Sequence, residues 1–283
     1  MADYILQEAK CTKAELFTKF IDLLKGAGWT DVSSNATTDF IVLNSKGESN
    51  DKNLFIQIRN TNVSNSYPTD TTLYGIWSYR LINGYTPNTD AGTAGVFERT
   101  GETWRPLYFA QATSSSLPLD LELTYRYHVN KNRIIFLVET PEAMNLAPCL
   151  FYIGLPMNTF TSEPKSRGVV VMSNYYSGFS NSVHISDAVA EMPSLTASAT
   201  RTNYIALPPK SPNSASIHTP VELFYGDTSE GYRGKLDGIY FLPNGSINNG
   251  ELLNLGSKRF RASVLASGSS SSYPTQTVIY QIG

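Results

Sequence analysis

A hydrolase needs a nucleophile beside a base, and the chain offers three histidines as bases, His128, His184 and His218. His128 lies on the polar face of a predicted strand and His218 follows a serine-rich loop, so we expect both to face solvent. The stretch 178–182 (GFSNS) is close to the GxSxG turn of serine hydrolases, but it has Ser where the second Gly should be. The sequence therefore predicts no catalytic residue and no enzyme.

Cysteine and carboxylate chemistry is equally sparse. Cys11 and Cys149 have no CxxC partner, and we expect two buried free thiols. Glu48 and Asp51 beside Gly47 could hold calcium in a hairpin loop, but carboxylates at such turns are more often solvated. No GxxxxGK[ST] or GxGxxG loop precedes a helix, so the sequence predicts neither a metal site nor a cofactor. A carboxylate pair for glycoside hydrolysis stays open, because the separation of such a pair depends on the tertiary structure.

Aromatic side chains are the remaining candidates for a binding surface. The segment 61–118 interleaves Thr, Asn, Gly and Pro with many Tyr, Trp and Phe residues. These aromatics either pack beneath the loops or meet a partner, which could be a neighbouring subunit or a sugar ring. The candidate contact residues are Trp77, Tyr79, Tyr85, Trp104, Tyr175 and Tyr176.

The charge of the chain is low and evenly spread. Charged residues make up 16% of the 283 residues, against roughly 25% in an average soluble protein, and the formal net charge is -2. Because no basic face is visible, we expect no direct nucleic-acid recognition. The 78 Ser, Thr and Asn residues predict a neutral polar surface, while 41% hydrophobic residues are ample for a core.

An amphipathic helix is predicted over residues 13–25. Thr12 and Glu15 can form a capping box at its start, and Gly26 and Gly28 supply its end. Its apolar residues recur on one face, which must lie on another element. The residues that we expect to pack on a sheet are Leu16, Phe20 and Leu24.

Most of the remaining elements are predicted strands. Apolar runs at 39–43 and 54–59, joined by a polar loop, indicate a long hairpin. Residues 121–129 alternate as in a half-buried strand, and 134–138 are continuously apolar, as in a central strand that is covered on both faces. A strand is also possible within 73–82. Further strands are predicted at 150–155, 169–172, 221–225, 239–242, 260–265 and 278–282.

These elements predict an α+β fold that is mostly antiparallel β, with one N-terminal amphipathic helix packed on a sheet and two long loop-rich insertions. We expect one domain over 1–283. Its parts are a helix-hairpin unit (12–60), a loop-rich excursion (61–118), a β core (119–172), a loop-rich insertion (173–216) and a closing β region (217–283).

The order of several short motifs resembles a group of tailed-bacteriophage virion proteins of the neck, collar or tail. Proteins of that group have a helix that ends near Gly-Trp, a hairpin, an Asn/Arg-Arg-apolar strand, a Tyr-x-Gly element and a closing β region. The matching positions are Gly28-Trp29, the hairpin 39–59, Asn132-Arg133 before 134–138, Tyr152-Ile153-Gly154 and Leu236-Asp237-Gly238-Ile239-Tyr240. The proline-rich stretch that follows the Tyr-x-Gly element in the group is thin here, with Pro156 and Pro164.

The resemblance implies a non-enzymatic virion structural protein that forms or decorates a ring through contacts with other copies and with other virion proteins. We expect synthesis in the cytoplasm of the bacterial host and residence in the virion. No apolar run approaches the roughly 20 residues that span a bilayer, and the first residues lack a secretory signal, so we expect no membrane association. Two alternatives stay open, a host-surface carbohydrate- or receptor-binding module of a phage tail and a cell-wall hydrolase.

Overall fold

The computed structural model describes residues 4–33, 40–60, 75–82, 84–88, 95–97, 104–109, 117–144, 146–157, 169–173, 183–185, 219–224, 232–242, 247–265 and 276–283. The elements of these residues are, in chain order, β1 (Gln7–Thr12), α1 (Lys13–Gly26), β2 (Thr30–Asp31), β3 (Ile41–Ser45), β4 (Leu54–Arg59), β5 (Ile76–Ile82), β6 (Tyr85–Thr86), β7 (Val96–Phe97), β8 (Arg105–Tyr108), β9 (Glu122–Val129), β10 (Arg133–Glu139), a 3-10 turn (Glu142–Met144), β11 (Cys149–Gly154), β12 (Val169–Met172), β13 (Val183–Ile185), β14 (Thr219–Phe224), β15 (Tyr232–Leu242), β16 (Leu252–Leu255), β17 (Lys258–Leu265) and β18 (Gln276–Gln281).

The strands of the described residues form three large antiparallel sheets and one two-stranded ribbon, β6–β7. The central sheet has the order β1-β9-β10-β11-β12-β13, the N-terminal sheet β2-β3-β4-β5-β8, and the C-terminal sheet β14-β15-β18-β17-β16. The fold is therefore α+β and mostly antiparallel β, with α1 as the one α-helix of the described residues, which confirms the predicted fold class.

The central sheet is covered on both faces. Ile134, Phe136 and Val138 of β10 belong to a core shared with α1 and the N-terminal sheet. The alternate residues Ile135 and Leu137 belong to a second core shared with the C-terminal sheet. Because successive side chains of a strand point to opposite faces, the continuously apolar run of β10 fills both cores. The prediction of a central strand covered on both faces is confirmed.

Helix α1 begins at a capping box and ends beside a glycine, as predicted. The backbone N–H of Thr12 donates to Oε2 of Glu15 at 3.0 Å. At the other end the backbone N–H of Ala27 donates to the carbonyl of Leu23 at 3.0 Å, and Gly28 has φ +96°. The predicted packing face is confirmed, because Leu16, Phe20 and Leu24 are completely buried.

Part of the polar face of β9 is covered, and the prediction of a half-buried strand is wrong for Arg126 and His128. Arg126 is almost completely buried, and His128 is half-buried. The C-terminal sheet covers this part of the face, and its strands begin with residue 219, far along the chain from β9, so the local alternation could not reveal it. Strand β1 was missed for a related reason, because the polar sequence of this edge strand pairs with β9 through non-local contacts.

The predicted loop-rich excursion contains sheet. Strands β5 and β8 extend the N-terminal sheet beyond the predicted hairpin, and β6–β7 forms the ribbon. The alternative of a strand within 73–82 is confirmed by β5. Of the predicted insertion 173–216, the described residues are Ser173 and strand β13, which joins the edge of the central sheet. The remainder of that insertion lies outside the described residues.

Candidate functional site

An ion pair between Arg133 and Asp237 lies at the junction of the central and C-terminal sheets. Arg133 begins β10 and Asp237 lies within β15, and their side chains are only 7% and 4% exposed. The Nη1 group of Arg133 donates to Oδ2 of Asp237, and its Nε group donates to the carbonyl of Leu155 at 3.1 Å. The Tyr152 hydroxyl donates to the same carbonyl. The guanidinium is thus held by hydrogen-bond partners on β15 and just after the end of β11.

The N-terminal residues cover this ion pair. The ring of Tyr4 lies 5.7 Å from Cζ of Arg133, and the Tyr4 hydroxyl is hydrogen-bonded to Asp237. Burial, together with the negative charge of Asp237, raises the pKa of Tyr4. Gly238 has φ +75°, and a Cβ there would lie 2.7 Å from Cβ of Tyr4. Glycine is required at 238 both by its backbone conformation and by the close approach of the N-terminal segment.

His128 lies beside this cluster, and its predicted exposure to solvent is wrong. Its ring meets the ring of Tyr4 edge-on at 5.2 Å. Burial is the main cause that lowers the pKa of His128, and the positive charge of Arg133 acts in the same direction. Its Nε2 atom is buried and makes no hydrogen bond with the described residues. Burial and the charge of Arg133 therefore both favour the neutral imidazole over the imidazolium.

A second polar cluster lies between the same two sheets. The Nη2 group of Arg126 donates to Oε2 of Glu8 at 2.6 Å, and Nη1 donates to Glu139. Arg261 lies 4.0 Å from the other oxygen of Glu139. Charge pairing between β9, β1, β10 and β17 thus compensates the burial of Arg126. The charged groups of both clusters are paired with residues of the same chain, and these pairs join the two sheets.

Most of the described aromatic candidates are core residues. Trp77 and Tyr79 are 1% and 0% exposed, and Tyr85 is also buried. Trp77 packs against Phe20 and Phe109, with ring centroids 5.3 and 4.6 Å away. The interpretation of these three residues as ligand or subunit contacts is wrong, and the alternative that aromatics pack beneath the loops holds for them.

Trp104 is the exception among these residues, because its ring is half-exposed. Cζ of Arg59 lies 4.1 Å from its ring centroid, and Cζ of Arg80 lies 5.0 Å from it. Cation–π contacts of this kind already occupy the ring, which leaves less of it for a sugar or a subunit. Tyr175 and Tyr176 lie outside the described residues.

A surface groove of about 460 Å³ lies between α1 and β9, and sequence reasoning missed it. Tyr127 contributes to its wall and donates a hydrogen bond from its hydroxyl to Oε1 of Gln7 at 2.8 Å. Aromatic surface combined with amide, carboxylate and ammonium groups could bind a hydroxylated ligand. The alternation of β9 predicts that Tyr127 lies on the same face of the strand as Tyr125 and Val129. The opposite wall of the groove is formed by α1, and the sequence does not show that α1 packs there. The lining residues are Gln7, Lys19, Asp22, Leu23, Gly26, Ala27, Tyr125, Tyr127 and Val129.

The carboxylates and thiols that were candidates for metal binding or catalysis make contacts within the chain. Glu48 accepts a hydrogen bond from the backbone N–H of Lys131 at 3.0 Å, and Asp51 accepts one from Ser49. No group of three potential metal ligands is present among the described residues. Cys11 and Cys149 are buried and free, as predicted. Burial raises the pKa of Cys11 to about 11 and that of Cys149 to about 12, so both thiols stay protonated near neutral pH.

No family model matches this chain, and no curated protein matches it significantly. The resemblance to phage virion proteins therefore stays a prediction. Within the described residues, no helix combines the length and the apolar character needed to cross a membrane.

Proposed function

We propose that the chain is a structural subunit of a tailed-phage virion that forms or decorates a ring at the neck, collar or tail. One observation carries this proposal: the short motifs that resemble the phage group meet in a single framework of buried contacts. They lie far apart in the sequence, and each of them joins two elements of the fold. A subunit that transmits load between neighbours needs a rigid body of this kind.

The first of these contacts joins the helix to the central sheet. The indole Nε1 of Trp29 donates to the carbonyl of Asn130 at 2.9 Å, so the Gly-Trp end of α1 is bound to the turn between β9 and β10. That turn is ordered by the side chain of Asn130, which accepts the backbone N–H groups of Asn132 and Arg133 at 2.9 and 3.0 Å.

The second contact joins β11 to the same turn. Gly154 of the Tyr-x-Gly element has φ +133°, and a Cβ at this position would collide with the backbone of Asn132 and Arg133. The absence of a side chain lets the two strands approach closely. The third contact is the Arg133–Asp237 ion pair, which adds the C-terminal sheet. The helix, the central sheet and the C-terminal sheet are thereby fixed to one another around a single turn.

The surface chemistry supports the same proposal. Low charge gives an isolated protein little electrostatic repulsion from its neighbours, and a surface of this kind suits a subunit that is partly buried in an assembly. The abundance of Ser, Thr and Asn provides hydrogen-bonding groups for such contacts without the cost of burying full charges.

Two measurements test this proposal. Mass spectrometry of purified virions of the phage that encodes the chain should detect its peptides at the level of a structural protein, and negative-stain electron microscopy of the purified chain should show closed rings or addition to rings of partner proteins. Virions without any peptide of this chain would contradict the proposal. A matched control is a non-structural protein of the same phage, which should be missing from the purified particles.

The α1–β9 groove favours a second candidate, a host-surface carbohydrate-binding module. Tyr127 provides a partly exposed aromatic ring, and Asp22 and Gln7 provide hydrogen-bonding groups around it. Glycan-array binding by the isolated chain that is lost in Tyr127→Ala, but kept in Tyr127→Phe, would support this candidate, because the second variant keeps the ring. Binding that is unaffected by Tyr127→Ala would place any glycan elsewhere.

A further inference from the structure

The edges of the three large sheets differ in how they are protected. Edge strands present unpaired N–H and C=O groups, and proteins blunt them with short length, charges, prolines or bulges. Strands β2 and β13 have two and three residues, and β1 carries Glu8 and Lys10. Strand β8 contains Pro106, and β14 contains Pro220 and two shifts of register. Among these described edges, β16 alone has none of these protecting features.

The backbone of β16 offers hydrogen-bonding groups on its outer side. The strand is joined to β17 by a two-residue turn in which Gly256 has φ +63°, and Leu255 pairs with Lys258 across that turn. In such a hairpin Leu255 and Leu253 direct their backbone groups toward β17, while Leu252 and Asn254 direct theirs outward. The Leu252 side chain is 43% exposed. The outer edge therefore has no charged side chain, and Leu252 gives it exposed apolar surface.

We propose that β16 of one copy pairs in antiparallel orientation with β16 of a second copy, around a twofold axis. Outward-directed backbone groups must face each other, so Leu252 lies opposite Asn254 of the second copy and Leu253 lies opposite its own counterpart. The two C-terminal sheets then form one ten-stranded sheet. The pairing does not rest on the proposed function, because it concerns two copies of the isolated chain.

Charge and apolar surface both favour a second copy of this chain as the partner of β16. Glu251 is exposed at one end of the β16–β17 hairpin, and Lys258 and Arg259 lie at the other end. Arg261 lies at the same end as Glu251 but is 4.0 Å from the carboxylate of Glu139. Antiparallel pairing brings Glu251 of each copy toward Lys258 and Arg259 of the other, whereas parallel pairing would bring Glu251 toward its own counterpart. Leu253 packs against an apolar cluster on one face of the C-terminal sheet, which is formed by Leu242, Phe260, Ala262 and Ile279. In the pair, Leu253 of the second copy extends that cluster across the twofold axis.

A disulfide tests the geometry of this pair. Directly opposed residues without mutual hydrogen bonds have Cα atoms about 4.5 Å apart, which lies within the range that a disulfide spans. Leu253→Cys should therefore give a covalent dimer on mild oxidation that reductant reverses, while the native Cys11 and Cys149 are buried. Leu119→Cys is the matched control, since Leu119 is 52% exposed in another part of the fold, and it should give no dimer. Failure of Leu253→Cys to form a dimer would overturn the pairing.

A charge variant tests the strength of the pairing in sedimentation experiments. Leu252→Lys introduces a charge on each side of the axis and should raise the dimer dissociation constant more than about tenfold, a change of ~1.4 kcal/mol or more. Leu119→Lys carries the same added charge and should leave the constant unchanged, and thermal unfolding should show both variants folded. A monomeric native chain, or an unchanged dimer in Leu252→Lys, would overturn the pairing. Rings or virions that still contain the Leu252→Lys chain would leave the proposed function intact, because the pairing is judged from the dissociation constant of the isolated chain alone.

Discussion

Arg133 and Asp237, which are 104 residues apart in the sequence, form an ion pair that is almost completely enclosed between the central and C-terminal sheets. Tyr4 closes the pair from the N-terminal side, and the carbonyl of Leu155 accepts the remaining hydrogen bond of the guanidinium Nε. These internal partners favour this arrangement of the sheets over any arrangement that would keep the charge buried without them.

The first prediction concerns the loss of one partner of this pair. Arg133→Met leaves Asp237 as an uncompensated buried charge and should lower the free energy of unfolding by about 3–5 kcal/mol. The measurement is urea denaturation at neutral pH. The double variant Arg133→Met/Asp237→Leu should recover much of the loss, because it removes both charges.

The matched control for this prediction is the exposed pair of Lys10 and Glu122, whose side chains are 58% and 64% exposed. Lys10→Met should produce no measurable change, because solvent screens surface ion pairs. Equal effects of Arg133→Met and Lys10→Met would show that burial of the Arg133–Asp237 pair does not matter for stability.

The second prediction concerns the aromatic contact between α1 and the two sheets. The ring of Phe20 lies 5.3 Å from Trp77, 5.3 Å from Phe136 and 5.7 Å from Phe151. Phe20→Ala should therefore lower the free energy of unfolding by about 3–5 kcal/mol through lost burial and a cavity. Thr18→Ala, on the exposed face of the same helix, should change it by less than about 0.5 kcal/mol. A small effect of Phe20→Ala would contradict this packing.

The third prediction concerns pH. The folded-state pKa of His128 lies below its ordinary value of 6.5, so the unfolded chain binds more protons than the folded chain between these two pKa values. The contribution of His128 to stability is present above pH 6.5 and falls as the pH decreases toward the folded-state pKa. Arg133 disfavours the imidazolium, while Asp237 and the backbone of Ile5 act in the opposite sense.

The test compares the native chain with His128→Gln by denaturation at several pH values between 8 and 5. The native chain should lose stability on acidification relative to the variant, because glutamine does not titrate. Parallel pH curves for the two proteins would contradict a lowered pKa for His128. The carboxylates titrate in both proteins, so their effects cancel in the difference between the two stability curves.

The fourth prediction separates backbone strain from steric contact at two glycines with positive φ. Gly256 has φ +63°, and a Cβ there would meet no other atom within 4 Å, so Gly256→Ala should cost about 1–2 kcal/mol. Gly238→Ala carries the same backbone cost and also pushes against Tyr4, so it should lower stability further and loosen the N-terminal segment. Faster amide exchange at Leu6 would report that loosening. Equal costs at the two positions would show that the approach of Tyr4 is unimportant.

Local patterns predicted the elements whose signals lie within a few residues. Helix α1 was predicted because its capping box and its apolar face are both local, and β10 was predicted because a strand that is buried on both faces is continuously apolar. Strands β1 and β5 were missed or left open, because pairing with distant strands, and not local alternation, makes them part of a sheet.

The candidate site shows the same division. The residue types of Arg133, Asp237 and Trp77 are visible in the sequence, but their environments are not. Trp77 lies in a polar, loop-like segment and is nevertheless a core residue, because α1 and Phe109 cover it. In the sequence, Arg133 is an ordinary charged residue at the start of a strand. In the structure, Asp237 and Tyr4 surround its guanidinium.

The sequence by itself determined the fold class, the N-terminal helix with its buried face, the central strand and the two buried thiols. Each of these depends on periodicity, capping or composition, which operate over a few neighbouring residues. Only the tertiary structure decided which face of β9 is covered, which charges are paired, which aromatics are buried and which sheet edge is left unprotected. These properties depend on which distant segments come together, since burial and charge pairing are set by neighbours in space and not by neighbours in the chain.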